Sequence, residues 1–89
     1  MAVKGSMHTF EAIRDWLVLR IAGELGTAQQ AVKADEEFTN LGLGSRQAIM
    51  VTGELEDFLG AGELDPALLW DYPTINQLAR HLAVHYEHP

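Results

Sequence analysis

No cysteine occurs among the 89 residues, which excludes disulfides, thiolate metal sites and a cysteine nucleophile. Any thiol chemistry here needs a thiol brought in from outside the chain. Basic residues are scarce: six Lys and Arg stand against thirteen Asp and Glu, for a net charge of −7. That balance disfavours nucleic acid and anionic membranes and suits partners with basic docking surfaces. Long apolar runs are missing too, since none approaches the ~20 residues needed to span a bilayer. With no secretory signal pattern in view, the expected location is cytoplasmic. No stretch alternates with period two for long enough to make a strand.

Apolar residues at 47% with 21% charged lie near the globular average, so the chain is expected to fold. A chain this short buries roughly 60% of its unfolded surface, which leaves no room for a deep active site. Residues 1–6 read as an expression-tag remnant. The rest, 7–89, forms one domain with its core at about 10–86.

The spacing of Phe10, Ile13, Trp16, Leu17, Ile21 and Leu25 predicts a helix capped by Thr9 and ended by Gly26. Residues 27–44 lack periodicity and read as a long loop pinned by Val32, Phe38 and Leu41. A second helix over 45–59 puts Ala48, Val51, Thr52, Leu55, Phe58 and Leu59 on one face, with Ile49 and Met50 off it and Gly60 and Gly62 beyond. Asp65 and Pro66 open a short helical segment through Trp70, and Pro73 ends it. Thr74 and Gln77 form a capping box before Ile75, Leu78, Ala79, Leu82 and Tyr86, the face of a last helix. The sum is an all-α, small antiparallel four-helix bundle, with three main helices and one short one. Trp16, Phe58, Trp70 and Tyr72 read as core or pocket aromatics, and core packing is the expectation for Trp70.

Ser45 stands behind Gly42 and Gly44 at the start of the second helix. On local sequence its ordinary role is to cap that helix. A chemical role has an electrostatic basis: the free N–H groups and positive dipole of a helix start stabilise a phosphodiester on the hydroxyl. Gly44 leaves room for a phosphate or an incoming enzyme.

Three segments carry a resemblance. They are Leu41-Gly42-Leu43-Gly44-Ser45, Leu55-Glu56-Asp57-Phe58-Leu59-Gly60, and Leu68-Leu69-Trp70-Asp71-Tyr72-Pro73-Thr74-Ile75 with Leu78-Ala79-Arg80-His81-Leu82. Together they resemble the acyl carrier protein domains of modular (type I) polyketide synthases over about residues 10–86. The resemblance implies that Ser45 receives a 4′-phosphopantetheine arm from coenzyme A, through a phosphopantetheinyl transferase that uses magnesium. The arm's thiol then holds an acyl chain as a thioester, consistent with a cysteine-free chain whose reactive sulfur belongs to the cofactor. Implied partners are the ketosynthase, acyltransferase or fatty acyl-AMP ligase of the synthase, with no nucleic acid and no membrane. The isolated domain is expected to be a non-catalytic monomer.

Two positions depart from the family pattern, which places aspartate before the serine and leucine after it; here they are Gly44 and Arg46. Arg46 puts a cation at the positive end of the helix, at a cost of ~0.3 kcal/mol if exposed. The Ser-Arg pair, with Gly-Glu-Leu-Glu further on, also looks like carrier domains charged by fatty acyl-AMP ligases. Since the second helix is the usual recognition element of carrier domains, the resemblance makes Gly44, Arg46, Ile49, Met50, Glu54 and Glu56 a partner-recognition surface. Composition alone reads Glu54, Glu56 and Asp57 as a solvated face.

Two alternatives stand beside this reading. One is a peptidyl carrier domain of a nonribosomal peptide synthetase, which shares the chemistry and differs in cargo. The other is a non-covalent helical docking module that lacks the arm. His81, His85 and His88 lie at helical spacing, but no acidic or cysteine fourth ligand is evident nearby, so they are expected to face solvent rather than hold a metal. A hydrolase is disfavoured because Leu43 and Gln47 occupy the glycine positions of a Gly-x-Ser-x-Gly elbow.

Overall fold

A computed structural model describes residues 8–86. The proposed tag at 1–6, His88 and the side chain of Tyr86 lie outside the described residues.

Helix α1 spans Phe10–Leu25. Thr9 Oγ1 accepts the Ala12 N–H at 3.1 Å, and Gly26 closes the helix in a left-handed conformation. Ile13, Leu17 and Ile21 are fully buried, as their spacing predicts. Helix α2 covers Phe38–Leu41, α3 covers Ser45–Leu59, α4 covers Leu68–Asp71 and α5 covers Ile75–Tyr86. Helix α1 has α5 as its main partner, with α3 beside it. The three long helices thus share one core, in which Leu55, Ile75, Leu78 and Ala79 have no exposed surface.

Three expectations need correction. The stretch over 27–44 is not a plain loop, because it holds a 3₁₀ turn at Gln29–Ala31 and the four-residue α2. Four residues do not sustain a helix alone. Here the support is tertiary: Phe38 is buried, its N–H donates to the Pro73 carbonyl at 2.8 Å, and the Asn76 N–H donates to the Ala34 carbonyl at 2.9 Å. An isolated bridge pairs Glu37 with Thr74 in the same seam.

Trp70 is not core. It is 45% exposed, while its neighbour Leu69 is fully buried. Helix α4 is one turn long: Leu69 fills the core and Leu68 packs partly against it, which leaves Trp70 outward. His81 does not simply face solvent either. It is half-buried and stacks on Tyr72, with ring centroids 4.0 Å apart and planes 15° from parallel.

Candidate functional site

The loop into α3 is built from both ends. Gly42 ends α2 with φ 95°, where a side chain would be strained, and its N–H donates to the Thr39 carbonyl at 3.2 Å. Leu43 follows and is buried, its N–H donating to the Phe38 carbonyl at 3.0 Å. Sequence reasoning missed this anchor, because an isolated leucine between two glycines carries no periodic signal. With Leu43 turned into the core, Gly44, Ser45 and Arg46 are presented outward, and all three are exposed.

Ser45 is the first residue of α3 and not its cap, contrary to the local expectation; Gly44 holds the cap position in an extended conformation. Glycine and serine are both acceptable there. The register is fixed by Gln47, whose Oε1 accepts the Gly44 N–H at 2.8 Å, while the first helical bond runs from the Ala48 N–H to the Gly44 carbonyl at 2.9 Å. Among the described residues, no side-chain oxygen accepts from the amides of Ser45, Arg46 and Gln47, and no carboxylate lies within ion-pair distance of Arg46. The first turn therefore presents an exposed hydroxyl, three backbone donors and a guanidinium, a set suited to an anionic phosphodiester.

Along α3, Ile49 and Met50 are 58% and 49% exposed, close to Arg46 by helical spacing. Glu54 and Glu56 are committed elsewhere. Arg20 on α1 donates to both Glu54 oxygens, through Nε at 2.9 Å and Nη2 at 3.1 Å. Glu56 Oε2 accepts the Leu64 N–H at 2.7 Å, tying down the segment between α3 and α4. The face near Ser45 is thus apolar with one cation, and the two glutamates double as structural groups. Phe58 stacks on Trp16 at 4.8 Å beside the Arg20 pair.

On α5, the His81 and His85 rings lie 4.4 Å apart. Burial first, and the neighbouring His85 second, lower the pKa of His81 below its ordinary value. Among the described residues no three His, Cys, Asp or Glu side chains gather as metal ligands would. No helix of the described residues is long and apolar enough to cross a membrane.

A family profile described as "Phosphopantetheine attachment site" matches residues 15–82. The chain belongs to that family. The group this family of carrier domains bears covalently is 4′-phosphopantetheine, and the carrier domain described here has homologues in polyketide synthases. It is 35% identical over 79 residues to a phenolphthiocerol/phthiocerol polyketide synthase of Mycobacterium tuberculosis, covering 89% of this chain and 4% of that protein. The carrier domain thus spans a small fraction of the curated relatives it matches.

Solved structures agree on the fold. A free-standing peptidyl carrier protein from Acinetobacter baumannii is 37% identical with a TM-score of 0.83, covering 88% of this chain and 96% of its own. The acyl carrier protein Asl1650 from Anabaena sp. PCC 7120, described as having a variant phosphopantetheinylation-site sequence, is 38% identical with a TM-score of 0.79, covering 88% of each chain.

Proposed function

We propose that this carrier domain bears its 4′-phosphopantetheine on Ser45 and holds an acyl chain as a thioester for the enzymes of a polyketide synthase. The observation that carries the assignment is the exposed Ser45 hydroxyl at the first position of α3, beside amides that no side chain among the described residues takes. In the transfer, Ser45 Oγ forms a bond to the β-phosphorus of coenzyme A. The pyrophosphate bond breaks, adenosine 3′,5′-bisphosphate leaves, and the hydroxyl proton passes to a base of the transferase. Once attached, the arm supplies the thiol that the chain lacks.

The chain's own residues orient and do not catalyse. Gly44 leaves the approach to Ser45 open, the first-turn amides and Arg46 stabilise the phosphodiester charge, and Leu43 fixes the loop from behind. The variant site sequence of the Anabaena carrier protein supports reading Gly44 and Arg46 as compatible with an arm. Arg46, Ile49 and Met50 form the contact offered to the transferase and to the ketosynthase, acyltransferase or fatty acyl-AMP ligase that loads the cargo. The domain works in the cytoplasm, where coenzyme A is supplied. A second reading, a peptidyl carrier with an aminoacyl cargo, draws on the likeness to the Acinetobacter protein.

Intact mass after incubation with coenzyme A, magnesium and a broad-specificity phosphopantetheinyl transferase tests the assignment. A gain of one arm, lost in Ser45→Ala, is expected. No gain from folded protein favours the non-covalent docking module. Loading of the armed protein with acyl against aminoacyl groups by matched ligases separates the two cargo readings.

A further inference from the structure

We propose that the groove Tyr72 forms with the outer face of α5 is a second docking surface, which takes an acidic amphipathic helix of a partner domain: an aliphatic side chain enters beside Val84, and a carboxylate meets Arg80. None of its residues belongs to α3, and it does not depend on Ser45.

The groove has a volume of about 340 Å³ and is lined by Tyr72, Gln77, Arg80, His81 and Val84. On α5 these residues recur at three and four, so they share one face, while Leu78, Ala79 and Leu82 fill the core from the other. Tyr72 and His81 stack with ring centroids 4.0 Å apart, which makes a flat aromatic wall. Val84 is 75% exposed, more than any other large apolar side chain among the described residues. The domain thus leaves apolar surface uncovered beside that wall, as interaction sites do.

Charge selects the occupant. The chain carries −7 overall, yet this edge is cationic. Arg80 stands over the Phe10 ring, 5.3 Å from its centroid, and Arg14 stands over the same ring at 5.4 Å. Arg14 has its neighbour Asp15 at 3.1 Å, but no carboxylate among the described residues lies within ion-pair distance of Arg80. One ring therefore gathers two like charges with a single carboxylate between them, and a partner's carboxylate offsets the excess. An acidic partner is repelled by most of this surface and accepted here, which fixes its orientation. A helix supplies both contacts from one face, because residues three and four apart lie side by side.

The test is an NMR titration of the domain with a capped helical peptide of about 15 residues, carrying leucines one turn apart and glutamates three and four residues from them. Saturable amide shifts at Gln77, Arg80, His81 and Val84 are expected, with Kd on the order of 100 μM. Arg80→Gln is expected to weaken binding roughly threefold to fivefold, the scale of one exposed ion pair, and Arg80→Glu to abolish it. Val84→Ser is expected to weaken it by a similar factor through lost apolar contact. Both side chains are exposed, so melting temperatures are expected to stay near the parent value. Ser45→Ala is expected to bind as the parent does, and a peptide with lysine for each glutamate to leave these amides unmoved.

No saturable shift below about 2 mM peptide overturns the proposal. So do shifts confined to α3, an unchanged Kd in either Arg80→Gln or Val84→Ser, or equal shifts with the lysine peptide. Shifts at the groove on concentrating the domain alone assign it to a second copy and overturn the proposal too. The titration needs no arm, so a failure of arm transfer bears on Ser45 alone.

Discussion

Arg20 on α1 clamps Glu54 on α3 with a two-pronged ion pair, its Nε and Nη2 meeting the two carboxylate oxygens at 2.9 and 3.1 Å. Both side chains are about two-fifths exposed, so solvent screens the pair and its worth is modest. A double-mutant cycle with Arg20→Ala and Glu54→Ala is expected to give a coupling of about 0.5–1 kcal/mol that shrinks as salt rises. Zero coupling at low salt would mean the bridge contributes nothing to holding the two helices together.

Glu56 is expected to be the more costly carboxylate to lose. Its oxygen holds the Leu64 N–H at 2.7 Å, and Leu64 is buried, so Glu56→Ala is expected to destabilise by roughly 1.5–3 kcal/mol, as for other hydrogen bonds to charged groups. Glu56→Gln retains an acceptor and recovers part of that. Urea unfolding decides it. Any slowing of arm transfer in a charge reversal at Glu54 or Glu56 must therefore be compared at matched fraction folded before it is credited to docking.

Arg46 offers a cleaner test of the recognition face, since no carboxylate among the described residues pairs with it. Replacing it with glutamate is expected to raise the transferase KM several-fold with little change in melting temperature, and Arg46→Leu to fall between. Transfer by the same partners at parent rates in Arg46→Leu removes Arg46 from recognition.

Adjacent residues of α4 are expected to behave oppositely. Leu69 is fully buried and Trp70 45% exposed, so Leu69→Ala costs about 2–5 kcal/mol, whereas Trp70→Ala costs about 1 kcal/mol despite removing a larger side chain. Equal losses in denaturant titrations would return Trp70 to the core.

Acidification is expected to weaken the fold through His81. Its pKa is lowered in the folded protein from the ordinary 6.5, so below that value the unfolded chain binds the proton more readily than the folded one. The stabilisation is fully present above pH 6.5 and is lost as pH falls through the folded pKa. His81→Phe keeps a ring on Tyr72 without a titrating group, and its melting temperature is expected to fall less between about pH 7.5 and 5.5 than that of the parent.

The long helices were legible because their signals are local: three- and four-residue spacing, Thr9 and Thr74 as caps, Gly26 and Gly60 as left-handed ends. What escaped the sequence depends on residues distant in the chain. Helix α2 exists because Pro73 accepts from Phe38, and Glu54 is occupied because Arg20 lies across from it. The cap fell on Gly44 rather than Ser45, and the bond from the Gly44 N–H to Gln47 accompanies it. The aromatic at 70 had a surface fate because α4 lasts a single turn.

The pairing of α1 with α5, together with the seam that joins residues 34–38 to 73–76, makes the two ends of the domain each other's main support. During synthesis α1 emerges well before α5, and until α5 has left the ribosome Ile13, Leu17 and Ile21 have only the lesser cover that α3 provides. The domain is therefore expected to fold late and as a whole, close to the completion of its own translation. A nascent chain stalled before residue 75 would expose that stripe to chaperones and proteases, and a permuted chain that brings the two helices together early would shorten the exposure.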